Sequence, residues 1–454
     1  MTTGRPSEDS PETSAHSPEP EHGLARTDPA SPEGESAARG APDGAVESSP
    51  MPRRSPWNRR RDRVVAAVLA VLCVATGMVV WLFSDSRATT RHLASEPPPR
   101  LTVPSAVPGA LAERWSATSE ATPVPVAEGG FVITASDGTV AGRDPLTGEV
   151  RWSYGRDLEL CTVSAAWSKA LAVYRKDVGC SEVTQLDPAT GRRTAQRNGD
   201  AEAPTRLVVD DSHVTTTGTE LLNTWRSDLV KTLEYGRVPA PVNPGRQPRP
   251  DCRYSTVAAG GDRVGVIEHC PGETGARLTV LKAAGEEADE PEQVFSVLLP
   301  EPTAQLVAMS DERVAVALPE RRHLLVWNYD GNQVGTYDLA VPTSELAAVP
   351  PSGVVSTSKG REHVYWFTGS RTVALDLHKL QPRWTVEGTL GPGTVFANEY
   401  VVPVRGGIAA LDEYTGATTR TVAVDRHGYE GPVELAATGP VLLEQRGRTL
   451  VALR

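Results

Sequence analysis

Cysteines are the residues of this sequence with the clearest capacity for chemistry. Four of them lie beyond an apolar stretch at residues 64–83, namely Cys161, Cys180, Cys252 and Cys270. Their spacing is wider than the CxxC pattern of zinc sites, and in an oxidising compartment such cysteines pair as structural disulfides. Two disulfides are therefore favoured, with a zinc site or redox chemistry as the alternatives. The fifth cysteine, Cys73, lies within the apolar stretch and suits apolar packing.

Other residues capable of catalysis or metal binding show no recognisable arrangement. The histidines beyond residue 110 are scattered singly, as His213, His269, His323, His363, His378 and His427. Metal sites need closer groups of ligands. No GxSxG, HExxH or phosphate-binding loop occurs, and acidic residues at strand ends and turns usually serve as caps. The sequence predicts no catalytic residue and no metal ligand, which favours a non-enzymatic role.

A repeated turn indicates the elements that position these side chains. In the stretch GRDPLTGEVRW, Asp144 can accept hydrogen bonds from the turn amides and Gly148 can supply the positive φ that closes the loop. Strands should flank this turn on both sides. Copies with the same offsets contain Asp187 with Gly191 and Asp412 with Gly416, and a further copy contains Asp376 followed by Trp384.

The copies set a register for the rest of the chain. Equivalent positions fall at residues 144, 187, 226, 282, 328, 376, 412 and 454. Their separations fit a four-stranded propeller blade, which takes roughly 40 to 50 residues. Alternating apolar segments and the lack of a sustained helical period also predict an all-β class.

Ring closure decides the number of blades. The last copy ends before its final strand, and residues 111–116 (LAERWS), which contain Trp115, can supply that strand. Pairing the two ends of the domain would remove an open edge. We therefore predict an eight-bladed β-propeller over residues 111–454, with seven blades as the alternative if residues 111–116 belong to a stalk.

The same register predicts which cysteines pair. Cys161 and Cys180 precede one repeat aspartate, and Cys252 and Cys270 stand at nearly the same offsets in blade four. Each pair should meet at one end of a hairpin, where antiparallel strands bring side chains together. We expect Cys161 to pair with Cys180 and Cys252 with Cys270.

The pattern ALDxxTGxxxW, met most fully at residues 142–152, resembles the tryptophan-docking repeat of the pyrroloquinoline quinone (PQQ) family of β-propellers. That family includes quinoprotein alcohol dehydrogenases and the propeller lipoproteins of outer-membrane assembly. The resemblance covers about three quarters of the chain. It implies that Trp115, Trp152 and Trp384 each pack onto the neighbouring blade.

The cofactor site of quinoprotein dehydrogenases is not recognisable in this sequence. Quinoprotein dehydrogenases hold a quinone and calcium in the axial funnel, against a disulfide between adjacent cysteines, and no adjacent cysteines occur in this chain. None of the family's catalytic residues can be matched. No cofactor is predicted and cofactor-binding residues stay unknown, although PQQ and calcium are not excluded.

The N-terminal region reads as a membrane anchor. Residues 1–50 contain three arginines and ten acidic residues and no aromatic residue, which predicts a disordered arm within segment 1–62. Six arginines precede residues 64–83, an uncharged run of the length that spans a bilayer. The positive-inside rule places the N-terminus in the cytoplasm and the propeller outside the plasma membrane. A cleaved signal peptide is the competing interpretation, and residues 84–110 are predicted to form a Pro-rich stalk.

The net charge of the chain and its two long insertions indicate which kinds of partner it could bind. Beyond residue 83 the chain has 37 basic and 46 acidic side chains, which argues against nucleic acid as a partner. Forty arginines against six lysines indicate a GC-rich genome and an actinobacterial type of envelope. Two insertions are candidate recognition surfaces: a basic loop at residues 237–251 and an acidic turn at residues 285–292.

Two functional hypotheses follow. The favoured one is a non-enzymatic binding or scaffold module for envelope proteins or glycans, anchored by one membrane-spanning helix. The alternative is a quinone-dependent oxidoreductase or a hydrolase with its site in the propeller funnel.

Overall fold

The structure is a computed structural model that describes residues 59–82, 84 and 87–454. The predicted acidic arm, residues 1–50, lies outside the described residues. Helix α1 (Arg60–Leu82) occupies the predicted apolar stretch and begins a few residues before it. Among the described residues it is the one helix long and apolar enough to cross a membrane.

The rest of the described chain is built mainly from strands. They are β1 (Thr89–His92), β2 (Glu113–Thr118), β3 (Val126–Glu128), β4 (Phe131–Ser136), β5 (Thr139–Arg143), β6 (Val150–Arg156), β7 (Leu160–Ala166), β8 (Lys169–Lys176), β9 (Gly179–Leu186), β10 (Arg193–Asn198), β11 (Leu207–Val209), β12 (Val214–Thr216), β13 (Leu221–Trp225), β14 (Lys231–Gly236), β15 (Arg253–Ala259), β16 (Arg263–His269), β17 (Arg277–Lys282), β18 (Gln293–Leu298), β19 (Gln305–Met309), β20 (Arg313–Leu318), β21 (His323–Asn328), β22 (Gln333–Asp338), β23 (Thr357–Lys359), β24 (His363–Phe367), β25 (Arg371–Asp376), β26 (Pro382–Glu387), β27 (Thr394–Phe396), β28 (Glu399–Val404), β29 (Gly407–Leu411), β30 (Thr418–Ala423), β31 (Val433–Thr438), β32 (Val441–Arg446) and β33 (Thr449–Leu453).

These strands form eight antiparallel sheets, the blades of a propeller. Blade one contains β3 to β6, blade two β7 to β10, blade three β11 to β14, blade four β15 to β18, blade five β19 to β22, blade six β23 to β26, blade seven β27 to β30, and blade eight β31 to β33. The eight-bladed prediction is confirmed.

Blade eight is completed by a strand from the other end of the domain. Strand β2 pairs antiparallel with β33, so that Trp115 lies opposite Ala452 and Thr118 opposite Thr449. The strand begins two residues later than the predicted segment 111–116. Closure removes the unpaired edge that an open ring of sheets would expose.

Burial follows the position of each strand in its blade. The second and third strands of a blade are largely buried apolar runs, as in β20 and β21. Outer strands alternate instead, as in β26, where half-buried and exposed residues follow one another. Neighbouring blades therefore share a core, for example between Leu324 of blade five and Trp366 and Val373 of blade six.

The predicted stalk is wrong over most of its length. Strand β1 pairs with β6 and adds a fifth strand to blade one, so residues 89–92 belong to the propeller. Residues 94–110, which we call the strap, then run over blade turns: Pro98 packs against Gly130 and Leu101 against Gly439. The strap ends with Val107 buried, its amide donating to Glu399 Oε1 at 3.2 Å. Its prolines suit an extended chain, but contacts with the ring replace the predicted spacer role.

Blade six is preceded by an insertion that the repeat spacing did not reveal. Residues 342–356, the blade-six insertion, contain helix α2 (Thr343–Leu346) and a 3-10 turn at Pro351–Gly353. Leu346 is buried in the core between blades five and six and fixes the helix. Gly353 has φ +70° and lies so close to β15 that a Cβ there would sit 2.8 Å from the Ser255 carbonyl oxygen.

Candidate functional site

The repeat turns have the same hydrogen-bond geometry in each copy. Asp144 Oδ1 accepts from the amides of Leu146 at 2.9 Å and Thr147 at 3.3 Å. Asp187, Asp376 and Asp412 accept from the amides two and three residues further on in the same way. At Asp412 the Thr415 hydroxyl adds a bond, and these bonds lower the pKa of Asp412. The aspartates are occupied by their own turns, so they are structural caps.

The three repeat tryptophans bind these turns on the next blade. The indole Nε1 of Trp115 donates to the Pro145 carbonyl at 2.9 Å, that of Trp152 to Pro188 at 2.8 Å, and that of Trp384 to Glu413 at 3.0 Å. Each ring also covers the turn glycine: a Cβ on Gly148, Gly191 or Gly416 would lie within 2.7 Å of it. Glycine is thus required twice, for positive φ and for close approach of the indole.

Two other blade interfaces use smaller donors for the same acceptor. Gln185 Nε2 donates to the Ser227 carbonyl of blade three at 3.0 Å, and Thr232 Oγ1 donates to the Ala283 carbonyl of blade four at 2.7 Å. Both carbonyls follow a degenerate repeat position. These blade interfaces therefore keep the hydrogen bond to the turn carbonyl without a tryptophan. This is why the repeat pattern is hard to recognise in the sequence of these blades.

Both predicted disulfides are present. Cys161 is bonded to Cys180 and Cys252 to Cys270. The first joins β7 to β9 across β8, with a Cα–Cα distance of 6.0 Å. The second joins the residue before β15 to the residue after β16, at 4.2 Å. None of the four lines the axial channel described below.

The two candidate recognition surfaces bind each other. Asn243 Nδ2 in the basic loop donates to Asp289 in the acidic turn at 2.7 Å, and Arg246 lies 3.3 Å from the same carboxylate. These contacts lower the pKa of Asp289, chiefly through Asn243. The Gln247 side chain forms hydrogen bonds with main-chain groups of β14, and its Nε2 also donates to the Asp289 carbonyl. The loop and turn cover an outer strand edge and pair their opposite charges, so the two candidate recognition surfaces form one continuous surface.

Buried arginine–glutamate pairs join several blades. Arg156 of blade one contacts Glu182 of blade two, and Arg249 Nε in the basic loop lies 2.9 Å from Glu268 of blade four. Between blades seven and eight, Arg426 Nη2 lies 2.7 Å from Glu444. The three glutamate side chains are fully buried, and each has an arginine partner.

The axis of the ring is a narrow channel lined by the first strands of several blades. A cavity of about 340 Å³ runs along β11, β15, β19 and β23. Most of its lining is aliphatic, including Val208, Val257, Val307 and Met309. Its charged side chains are Arg206, Lys359 and Glu434.

Two opposite charges face this channel without forming an ion pair. Arg206 precedes β11 and Glu434 lies on β31, and both line the cavity. Ser356 Oγ donates to Glu434 Oε1 at 2.5 Å. Burial raises the pKa of Glu434, although Ser356 and the Arg206 charge oppose it. Burial also lowers the pKa of Arg206 against the effect of Glu434.

At the end where the first strands begin, the channel opens into an apolar mouth. This cavity of about 510 Å³ is bounded by Pro123, Phe367, Tyr429 and the blade-six insertion. Gln305 Nε2 holds the insertion by donating to the Ala348 carbonyl at 2.8 Å. Val349, at the rim, is 85% exposed.

The channel does not fit PQQ with calcium. Calcium takes six to eight oxygen ligands, whereas Glu434 is the one carboxylate among the residues that line the channel cavity. The tricarboxylate quinone would need several cations, and Arg206 and Lys359 are those present. Most of the other residues that line the channel are aliphatic, so they provide neither carboxylates for calcium nor cations for the quinone.

Ser310, His378 and Asp311 lie near one another but do not form the hydrogen-bonded triad of a serine hydrolase. His378 Nδ1 lies 3.0 Å from Asp311, but Ser310 Oγ donates to the main-chain oxygen of His378 and not to its ring. Asp311, Glu312 and His378 form an exposed cluster with spacing that could admit a metal ion. The ring brings these residues together from adjacent blades, which sequence spacing could not show.

The fold and the docking tryptophans define a β-propeller of tryptophan-docked blades. Residues 61–220 match a family model described as outer membrane protein assembly factor BamB. The chain is an eight-bladed β-propeller, and its residues 61–220 are similar to that family of PQQ-like repeats.

Similar solved structures are distant. Sqt1 of Saccharomyces cerevisiae is 10% identical, with a TM-score of 0.49, over 76% of this chain and 99% of its own. The dihydro-heme d1 dehydrogenase NirN is 16% identical, with a TM-score of 0.45, over 79% and 73%. AztD of Citrobacter koseri is 13% identical, with a TM-score of 0.45, over 69% and 87%. These likenesses do not bear on function, and no curated protein matches the chain.

Sequence reasoning missed the residues that face the channel. Arg206, Ser356 and Glu434 lie in three different blades, and no repeat position marks them. The blade-six insertion did leave a signal, because the stretch VPTSELAAVPPSG combines helix-starting residues with a Pro-Pro-Ser-Gly turn.

Proposed function

We propose that the protein is a non-enzymatic binding module, held at the outer side of the plasma membrane by α1, whose partner is an envelope protein or glycan. The observation that carries the proposal is the apolar mouth of the axial channel. There an ordered insertion presents an exposed valine, Val349, beside Phe367 and Tyr429. Apolar groups gathered on a rigid concave surface are typical of binding sites.

The arrangement of the strap supports the choice of this face. The strap covers turns of blades one and eight, at Gly130 and Gly439, where first strands end. The mouth lies where first strands begin, and among the described residues that line it the strap contributes none. The mouth is therefore the more accessible end of the channel.

Site-specific photo-crosslinking in intact cells tests this proposal. A photoreactive residue in place of Val349 should give a discrete crosslinked product. The matched control replaces Val178, which is 97% exposed on the β8–β9 turn of blade two, away from the axis. Equal product from both positions, or none from Val349, would contradict the proposed face.

Membrane topology has a separate test. Protease added outside intact cells should degrade the propeller side and leave the N-terminal arm uncut, because the arginines before α1 favour the cytoplasm. Retention of α1 in the mature protein distinguishes an anchor from a cleaved signal. Loss of the arm with protection of the propeller would reverse the orientation.

A further inference from the structure

The arginine of the axial channel differs from three arginines that contact glutamates between the blades. Arg156, Arg249 and Arg426 each contact a buried glutamate. Within the part of the chain that the structure describes, the Arg206 guanidinium makes no hydrogen bond or ion pair. A half-buried guanidinium without a partner lacks both full hydration and an acceptor for its five donors.

Hydrogen bonds with Thr217 fix the backbone of Arg206. The Arg206 amide donates to Thr217 Oγ1 at 2.9 Å, and its carbonyl accepts from the Thr217 amide at 3.0 Å. The preceding hydroxyl, on Thr205, donates to the Thr217 carbonyl at 2.7 Å. This residue is thus fixed at the junction of the channel and its mouth, and its side chain lines both cavities.

The neighbouring carboxyl leaves Arg206 available. Glu434 is close enough to influence Arg206 electrostatically, yet it bonds to Ser356 and not to the guanidinium. Burial raises the pKa of Glu434, and its hydrogen bond with Ser356 occupies the carboxyl away from the guanidinium. An added anion at the mouth would therefore find the hydrogen-bond donors of Arg206 unoccupied by any described residue.

The mouth supplies the second half of a ligand site. Pro123, Phe367, Tyr429 and Val349 surround a cavity of about 510 Å³, within the usual range for small-molecule sites. Glu345 also borders it but is occupied, because Thr368, Ser370 and Arg371 donate to its carboxylate. An apolar body would replace water along these side chains.

We infer that the mouth binds a small amphiphile whose carboxylate pairs with Arg206 and whose apolar body lies between Phe367, Tyr429 and Val349. Guanidinium and carboxylate can form two parallel hydrogen bonds, which favours a planar acid over an alcohol or an amine. The free acid of a small molecule and the C-terminus of an apolar peptide share this chemistry. The inference rests on the proposed binding function and specifies the ligand class.

Calorimetric titration of the full-length protein in nanodiscs tests the inference. Phenylbutyrate is the probe, with phenylbutanol and phenylbutylamine as neutral and cationic analogues of equal length. We expect the acid to bind at least about 10-fold more tightly than either analogue. Both analogues lack the carboxylate that accepts hydrogen bonds from Arg206. No binding of the acid, or tighter binding of the amine, overturns the inference.

Variants assign the site. Arg206→Gln should weaken phenylbutyrate binding by about 10-fold or more, and Arg206→Lys by less, because the charge is kept. Arg226→Gln, at an exposed arginine of the blade-three turn, is the matched control and should bind like the natural protein. Melting curves establish that each variant is folded. Unchanged affinity in folded Arg206→Gln overturns the inference.

Glu434→Gln separates the two channel charges. Removing this carboxyl should leave phenylbutyrate affinity unchanged or raise it, because a competing group next to Arg206 is lost. A 10-fold loss would show that Glu434 holds the ligand, which contradicts a carboxylate. A peptide of apolar residues, tested with a free and an amidated C-terminus, identifies the source of the acid.

The outcomes distinguish this inference from the proposed function. If Val349 crosslinks a partner and phenylbutyrate does not bind, the ligand class is wrong and the binding face stands. If phenylbutyrate binds through Arg206 and Val349 gives no specific crosslink, the site exists and the proposed envelope partner is wrong.

Discussion

Charges between the blades and charges in the axial channel use the same two residue types in opposite ways. Between blades seven and eight, Glu444 is fully buried and lies 2.7 Å from both Arg426 and Arg446. In the channel, Arg206 and Glu434 face a common cavity without direct contact. Paired charges join blades, whereas separated charges leave hydrogen-bonding capacity for a ligand.

The comparison has an energetic side. A buried ion pair gives little net stability, because desolvation offsets the attraction, but loss of one partner leaves a buried charge that is costly. Removal of a charge from a blade interface should therefore destabilise the ring. Removal of the Arg206 charge from the channel should weaken binding, and removal of either channel charge should leave the ring folded.

The largest expected effect comes from Glu444→Gln. This change leaves Arg426 and Arg446 buried without their carboxylate, so unfolding free energy should fall by about 3 to 5 kcal/mol. Glu434→Gln is the matched change in the channel and should cost less than about 1 kcal/mol. Urea denaturation followed by circular dichroism measures both. Equal losses would show that channel and interface charges do not differ.

A second effect concerns the apolar part of the blade interface. Gly191→Ala places a Cβ 2.7 Å from the Trp152 ring, at φ +74°, and should cost about 2 to 4 kcal/mol from overpacking and left-handed backbone. Gly406→Ala is the control, because Gly406 has φ +75° and no atom within 4 Å of a Cβ. It should cost about 1 to 2 kcal/mol. Similar melting temperatures for both variants would mean that Trp152 does not require the glycine.

The smallest effect is a pH dependence of stability from the channel. The pKa of Glu434 is raised in the folded protein, which therefore binds this proton more tightly than the unfolded chain does. Stability must then fall as pH rises from the ordinary value of 4.5 through the raised value. Each tenfold difference in proton affinity contributes about 1.4 kcal/mol. Glu434→Gln should flatten this part of the melting-temperature profile, and an unchanged slope would contradict the assignment.

Acid-side loss of stability should have a different origin. Burial alone would raise the pKa of Glu345, but hydrogen bonds from Thr368, Ser370 and Arg371 lower it overall. The stability from these bonds is present above the ordinary pKa of 4.5 and is lost as pH falls. Glu345→Gln should therefore reduce the fall in melting temperature below that pH, and it should leave unchanged the loss of stability that Glu434 causes as pH rises.

The sequence by itself determined the repeat and hence the ring. Asp144 and Gly148 form a turn through hydrogen bonds that span five residues, so the pattern is visible wherever the residues survive. The spacing of such turns predicted eight blades, closure by the strand containing Trp115, and two disulfides. These features depend on local geometry or on a period that every blade shares.

Only the tertiary structure decided which polar groups are occupied. Arg206 and Glu434 come from blades three and eight and meet because the ring closes, and the basic loop finds the acidic turn across β14. The strap and the blade-six insertion likewise acquire their places from contacts distant in sequence. Each sequence repeat predicts one blade. The channel, in contrast, is lined by side chains that differ from blade to blade. Its chemistry therefore depends on packing around the whole ring.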